Sequence, residues 1–181
     1  MASKHYVALL RGINVGRGKR VPMADLCTLV ASLGFSDVKS VLNSGNVVFS
    51  GPPRAPAGVA ASIEELLVLR LGVAARVIVL DGEELASIID DNPLAGQASD
   101  HGRLLAFVLA DPASRSLLEP LARQEWQPGA LAVGRRAAYA WCPDGVLDSA
   151  VAAAVGKLLG DKTTSRNWNT MCKLYALCCQ L

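Results

Sequence analysis

The residues best suited to chemistry lie between positions 11 and 20, Arg11-Gly-Ile-Asn-Val-Gly-Arg-Gly-Lys-Arg20, where three glycines and four cations share ten positions. Glycine lets a backbone approach an anion, free N–H groups ahead of a helix point outward, and Lys or Arg neutralises charge. The stretch therefore suits a phosphate- or carboxylate-bearing ligand. It matches neither specific phosphate loop: a Walker loop needs glycine where Ile13 stands and Ser or Thr where Arg20 stands, and the dinucleotide fingerprint needs glycine at Val21. A mobile, solvated turn is the competing reading of the same residues.

Two further polar groups accompany this loop. Asn43-Ser44-Gly45-Asn46 joins two β-prone runs and reads as a hairpin turn, with Asn43, Ser44 and Asn46 supplying amides and a hydroxyl. Asn43 and Asn46 also suit capping of their own turn. Near the other end, Thr163-Thr-Ser-Arg-Asn-Trp-Asn-Thr170 gathers hydroxyls and amides around Arg166. Ser165 or Asn167 fits a helix N-cap, Trp168 fits a core position, and Arg166, Asn167 and Asn169 are left as candidates for the same site. The candidate ligand-binding set is thus Arg11, Gly12, Asn14, Gly16, Lys19, Arg20, Asn43, Ser44, Asn46, Arg166, Asn167 and Asn169.

Other chemistries find less support. The two histidines, His5 at a strand edge and His101 in an acidic loop, have no evident catalytic partner, so no nucleophile–base pair is assigned. Five cysteines form no CxxC pair, and Asp90-Asp91 has no histidine at helical spacing, so neither a metal nor a cofactor is expected. The thiols read as free in a reducing cytoplasm, with Cys27 and Cys172 on apolar helical stripes as core residues.

These residues are positioned by a simple order of elements. Residues 6–10 form an apolar run typical of a buried strand, and Met23, Leu26, Cys27, Val30 and Leu33 recur at helical spacing until Gly34. The hairpin follows, then a helical face through Ile63, Leu66, Leu67 and Leu71, then a strand over 75–80. This is the β-α-β-β-α-β ferredoxin-like unit. Asp81 and Glu84 suit an acidic variant of a capping box at the start of a linking helix. Residues 91–102 read as a linker between an N-terminal unit (1–90) and a C-terminal unit (103–181). The second unit begins with an apolar strand over 104–110 and a helix from Asp111-Pro112, continues with strands over 131–133 and 137–141 and a helix over 150–159, and closes with a helix where the last strand would stand. The fold class is therefore α+β, with two ferredoxin-like halves.

In such a sheet the first strand ends on the edge where the second turns into the third, so the basic loop and the Asn43–Asn46 turn are expected to meet. Charge is segregated too: residues 1–40 carry six Lys/Arg against two Asp/Glu, and residues 81–100 carry six acids and no Lys/Arg. Overall the 181 residues hold a net charge of +2 with 51% hydrophobic content, which excludes a disordered chain and is too balanced for a dedicated nucleic-acid-binding domain. No signal peptide or apolar run of membrane-spanning length is seen, so a soluble cytoplasmic protein without a membrane partner is expected.

The strings YVALLRGINVG and VPM, the SGNVVF hairpin, the PDG at Asp144 and the closing TSRNWNT resemble a widespread, mainly bacterial domain-of-unknown-function family, DUF1697. The resemblance runs from Tyr6 to Leu177. It implies a two-part α+β fold with ferredoxin-like pieces, and no particular reaction. The matching positions are Arg11, Gly12, Asn14, Gly16, Ser44, Gly45, Asn46, Arg166, Asn167 and Trp168. Arg17 stands where the family usually has a second glycine, and Ser149-Ala150 where it usually has Ser-Lys, which removes the basis for a lysine mechanism there. Four functions stay open: small-anion binding, which the loop chemistry favours; nucleic-acid binding on an open sheet face, for which Tyr6 and Phe49 are the stacking candidates; an enzyme in which Arg11 and Arg166 stabilise a developing anion; and homodimerisation through sheet faces or edges.

Overall fold

The computed structural model describes residues 2–181, in the order β1 (Lys4–Leu10), α1 (Met23–Ala31), β2 (Ser36–Val41), β3 (Asn46–Gly51), α2 (Pro56–Leu66), β4 (Val77–Asp81), α3 (Gly82–Asp90), β5 (Leu104–Leu109), α4 (Glu119–Ala122), β6 (Ala130–Val133), β7 (Ala137–Trp141), α5 (Ala150–Leu159), β8 (Thr163–Asn167) and α6 (Trp168–Cys178). The strands form two four-stranded antiparallel sheets, β2-β3-β1-β4 and β6-β7-β5-β8. Written as first to fourth strand of each half, both orders are 2-3-1-4, the ferredoxin-like arrangement. The chain divides into one unit of residues up to Leu85 with Leu174–Leu181, and a second of Ala86–Lys173.

In the first unit Tyr6, Ala8 and Leu10 of β1, Val47 and Phe49 of β3 and Val77 and Val79 of β4 point to one face. They pack with Leu26, Leu29 and Val30 of α1 and Val59, Ile63 and Leu67 from α2 and its continuation. Alternation along a strand sends Val7, Leu9, Val48, Ile78 and Leu80 to the other face, and these are buried as well. That is why β1 is apolar from Tyr6 to Leu10. β2 is different: most of Ser36–Val41 is exposed or half-buried, and the register slips between Ser36 and Lys39, where Asp37 has φ +52°. A bulged, charged edge of this kind discourages pairing with another chain.

Helix boundaries follow local chemistry. Pro56 opens α2, where its fixed φ suits a first helical position, and the helix widens over Leu67–Leu71 before Gly72 ends it at φ +63°. α3 starts at the expected reciprocal box: Glu84 N–H donates to Asp81 Oδ1 at 3.0 Å, and Asp81 N–H to Glu84 Oε2 at 3.1 Å. In the second unit Leu105, Phe107 and Leu109 of β5 pack with Ala138 and Ala140 of β7 and with Val151, Val155 and Leu159 of α5.

Three expectations change. The second half does not trade its last strand for a helix: Thr163–Asn167 forms β8 beside β5, and α6 is an addition after it, as α3 is after β4. The polar run lacks an apolar signal because Thr163 and Arg166 bury through hydrogen bonds, Thr163 Oγ1–H to Val108 O at 2.8 Å being one. The helix from Asp111 is mainly a 3-10 segment, Pro112–Leu118, with four residues of α4 behind it, since Pro120 lacks the N–H that a longer helix would use. Finally, Cys172 is exposed, while Cys142 and Cys178 are buried. The buried stripe of α6 runs through Trp168, Met171, Leu174 and Cys178, and Cys172 falls beside it. Cys27 is half-buried against the first core, and Trp168 lies in a buried position as expected.

Candidate functional site

At its C-terminal end β1 is gripped from both sides. Leu10 N–H donates to Gly45 O at 2.8 Å, in the β2–β3 turn, and Arg11 N–H donates to Arg76 O at 2.9 Å, just ahead of β4. The chain then turns through Gly12 at φ +68°, and Ile13 folds inward to 5% exposure. Ile13 lies over Gly45: a Cβ there would stand 2.8 Å from both Ile13 Cδ1 and Leu10 Cβ, and Gly45 also has φ +84°. No side chain fits at that position.

Asn14 fixes the loop that follows. Its Oδ1 accepts Val21 N–H at 2.7 Å, and its Nδ2 donates to Val21 O at 2.9 Å and to Asn43 O at 2.8 Å. One side chain thereby closes the base of a loop spanning residues 15–20 and ties it to the hairpin. Arg20 Nη1 adds a bond to Asn14 O, and Lys19 Nζ one to Leu71 O. On the hairpin side, buried Asn46 donates through Nδ2 to Val41 O and to Ser44 Oγ, each at 2.9 Å, so it holds the turn from beneath. The basic loop and the hairpin therefore meet as the sheet order requires.

Above this base the surface is cationic. Arg11, Arg17, Lys19 and Arg20 are all exposed, as are Gly12, Gly16, Asn43 and Ser44. Residues 11–20 contain no carboxylate, and among the described residues neither Arg17 nor Arg20 meets one. Along the backbone, φ is positive at Gly12, Asn14 and Gly16 and not at Ile13 or Val15. Alternation in the sign of φ is a feature of the backbone nests whose N–H groups receive anions. A Cβ at Gly12 or Gly16 would touch nothing within 4 Å, so their use is conformational.

Arg166, Asn167 and Asn169 lie in the second unit, and two of them have evident work there. Arg166 Nη1 donates to Thr164 Oγ1 and to Ser165 O, each at 2.8 Å, and burial pulls its guanidinium down to about 10. Asn167 Oδ1 accepts Thr170 N–H at 2.9 Å and caps α6. Asn169 is exposed in the first turn of that helix. Sequence reading passed over Ile13, which seats the loop, and Arg76, whose carbonyl holds Arg11 and whose side chain pairs with Glu64 at 3.7 Å. Arg76 was findable, since the start of the fourth strand always lies beside the end of the first in this topology. The stacking candidates for nucleic acid are interior residues: Tyr6 and Phe49 stack at 5.5 Å between ring centres, and both are fully buried. Among the described residues no group of three or more His, Cys, Asp or Glu side chains could hold a metal, and no helix is long and apolar enough to cross a membrane.

Comparison with known proteins adds three findings. The model of a family described as a protein of unknown function (DUF1697) matches residues 3–139. No curated protein matches significantly. A solved structure described as that of conserved bacterial protein SP0830 from Streptococcus pneumoniae is similar over 98% of this chain and 99% of its own, with a TM-score of 0.80 and 22% identity. At that identity the likeness is one of fold.

Proposed function

Since the chain belongs to the DUF1697 family, whose description carries no activity, the function has to be argued from the site, and we propose that the protein binds a small phosphate- or carboxylate-bearing molecule where β1 ends. The observation that carries this reading is the loop of residues 12–20: its base is locked by Asn14, its backbone alternates in φ sign, and its exposed side chains are cationic. A locked base lowers the entropy lost when a ligand is held. Arginine matches the geometry of phosphate and carboxylate in two-point contacts, and lysine adds a point charge. Asn14 and Asn46 belong to the scaffold in this reading, because their amides are engaged within the loop and the turn. Ser44 and Asn43 offer polar groups on the neighbouring rim.

The test is a thermal-shift and calorimetric titration of the whole chain with inorganic phosphate, pyrophosphate and nucleotides against chloride at matched ionic strength. Binding that weakens at least about tenfold in Arg11→Ala and Arg17→Ala is expected, one lost charge-assisted contact being enough for that change. Stabilisation that survives both substitutions would falsify the proposal.

A further inference from the structure

Seven large apolar side chains are exposed among the described residues, and the four in the first unit are not scattered. Val15, 65% exposed, stands in the basic loop. Leu42, 56% exposed, opens the turn whose next residue, Asn43, gives its carbonyl to Asn14 Nδ2 at 2.8 Å. Val68 and Leu69, 52% and 70% exposed, lie on the widened end of α2, whose last carbonyl, Leu71 O, accepts a bond from Lys19 Nζ. The antiparallel path brings all three segments to the end of the sheet where β1 finishes. Single exposed apolar residues are ordinary, whereas a group of them at one end marks a contact surface. Leu42 is unusual in its backbone as well, with φ +59°, a left-handed conformation that bulky side chains rarely adopt. Asparagine or glycine suits such a position, and Leu42 adds nothing to the core, so packing does not explain a leucine there.

Charge at this end narrows the partner. Arg17, Lys19 and Arg20 are exposed, and among the described residues none of them meets a carboxylate. Of the acids on the neighbouring elements, Glu64 is taken up by Arg76 at 3.7 Å and by Val77 N–H at 2.8 Å, and Asp25 shares a groove with Arg70 and Leu71. Residues 15–20 are exposed without a break, so a partner that covers them is broad and does not enclose them. A nucleic acid is broad and anionic, but its bases stack on aromatic rings, and the three aromatics of residues 1–85, Tyr6, Phe35 and Phe49, are all buried. A second copy presenting the same end brings like charges together. A bilayer surface with anionic lipids meets both demands: Lys and Arg lie among the headgroup phosphates while aliphatic tips reach the acyl boundary. Such contact needs no spanning segment.

We propose that this end of the first unit docks on anionic lipid surfaces, with Arg17, Lys19 and Arg20 at the headgroups and Leu42 and Leu69 inserted beside them. The surface shares its cations with the small-anion site and goes beyond it by requiring the exposed aliphatic residues.

Flotation of the whole chain with vesicles of phosphatidylglycerol and phosphatidylcholine in equal parts tests it, with vesicles of phosphatidylcholine alone as the neutral control. Binding is expected to the anionic vesicles only. Each Lys or Arg near such a surface contributes about fivefold to partitioning, so Arg17→Ala/Lys19→Ala should weaken it at least about tenfold. Leu42→Asn/Leu69→Gln, which keeps every charge and changes exposed positions, should also weaken it at least about tenfold. The affinity of this second variant for pyrophosphate should be that of the unchanged chain, which separates the two readings. Vesicle binding without pyrophosphate binding supports this proposal and removes the small-ligand one; pyrophosphate binding without vesicle binding removes this proposal alone. Equal flotation with neutral vesicles, or full flotation of the Leu42→Asn/Leu69→Gln variant with native circular dichroism, overturns it as well.

Discussion

The Asn14 amide bonds as a backbone peptide group does, accepting the N–H of Val21 and donating to the carbonyls of Val21 and Asn43. Its backbone is in the left-handed region at φ +56°, which asparagine tolerates better than most side chains. Asn14→Ala is therefore expected to lower stability by about 1–3 kcal/mol, and Asn14→Gly to be about 1 kcal/mol less harmful, because glycine relieves the backbone and not the lost bonds. Urea unfolding of the two variants measures both. Cysteine chemistry gives a second residue-level outcome. Cys142 and Cys178 are buried, and burial, with Cys179 and Asp81 adding, pushes the Cys178 thiol up to about 11. In the native protein a thiol reagent should modify Cys172 and Cys179 rapidly, Cys27 more slowly, and Cys142 and Cys178 only after unfolding. Peptide mapping after a short exposure reads the order. Residue types alone named Asn14 as polar and useful, but its partners are seven and twenty-nine positions away, so only the folded chain assigns it to the scaffold.

Elements were legible where local chemistry fixes them. The Asp81–Glu84 box and the glycine-bearing hairpin both depend on neighbours a few residues apart. Asp81→Ala should cost about 0.5–2 kcal/mol through loss of the cap, and Asp81→Asn clearly less, since an amide oxygen still accepts the Glu84 N–H. Thermal denaturation of the pair distinguishes a cap from a simple charge effect. Gly45→Ala should be worse than either, because the added carbon meets Ile13 and Leu10 in a backbone that already disfavours a side chain. β8 was the element hidden from periodicity. A strand of Thr, Ser, Arg and Asn carries no apolar alternation, and its place is set by pairing with β5 and by side-chain bonds to backbone carbonyls.

At the scale of the molecule, protonation should set the limits of stability. Three hydrogen bonds from Arg135, two from its side chain and one from its backbone N–H, and its charge hold the Asp91 carboxyl below the usual range, with Arg135 Nε and Nη2 each 2.9 Å from its oxygens. Burial pushes Asp81 up, but the Glu84 N–H and the Lys4 ammonium bring it below its usual value on balance. A carboxyl lowered in the folded state stabilises above the unfolded pKa of roughly 3.9, and that contribution is lost as pH falls through the folded value. Stability should thus decline below about pH 4, less steeply in Asp91→Asn. For Cys178 the sign reverses: its contribution is whole below the ordinary thiol pKa of ~8.5 and disappears as pH rises toward about 11. Urea midpoints measured across pH should fall on both sides of neutrality. The sequence by itself determined the two halves, the order of elements in the first, and the meeting of the basic loop with the Asn43–Asn46 turn, because apolar spacing and turn chemistry are local and the ferredoxin-like path brings those ends together. Tertiary structure alone decided which polar residues are scaffold and which face solvent, engaging the amides of Asn14 and Asn46 within the loop and the turn while Arg17 and Asn43 stay exposed. Burial and hydrogen-bond partnership are relations between distant segments, and a linear pattern of residue types does not carry them.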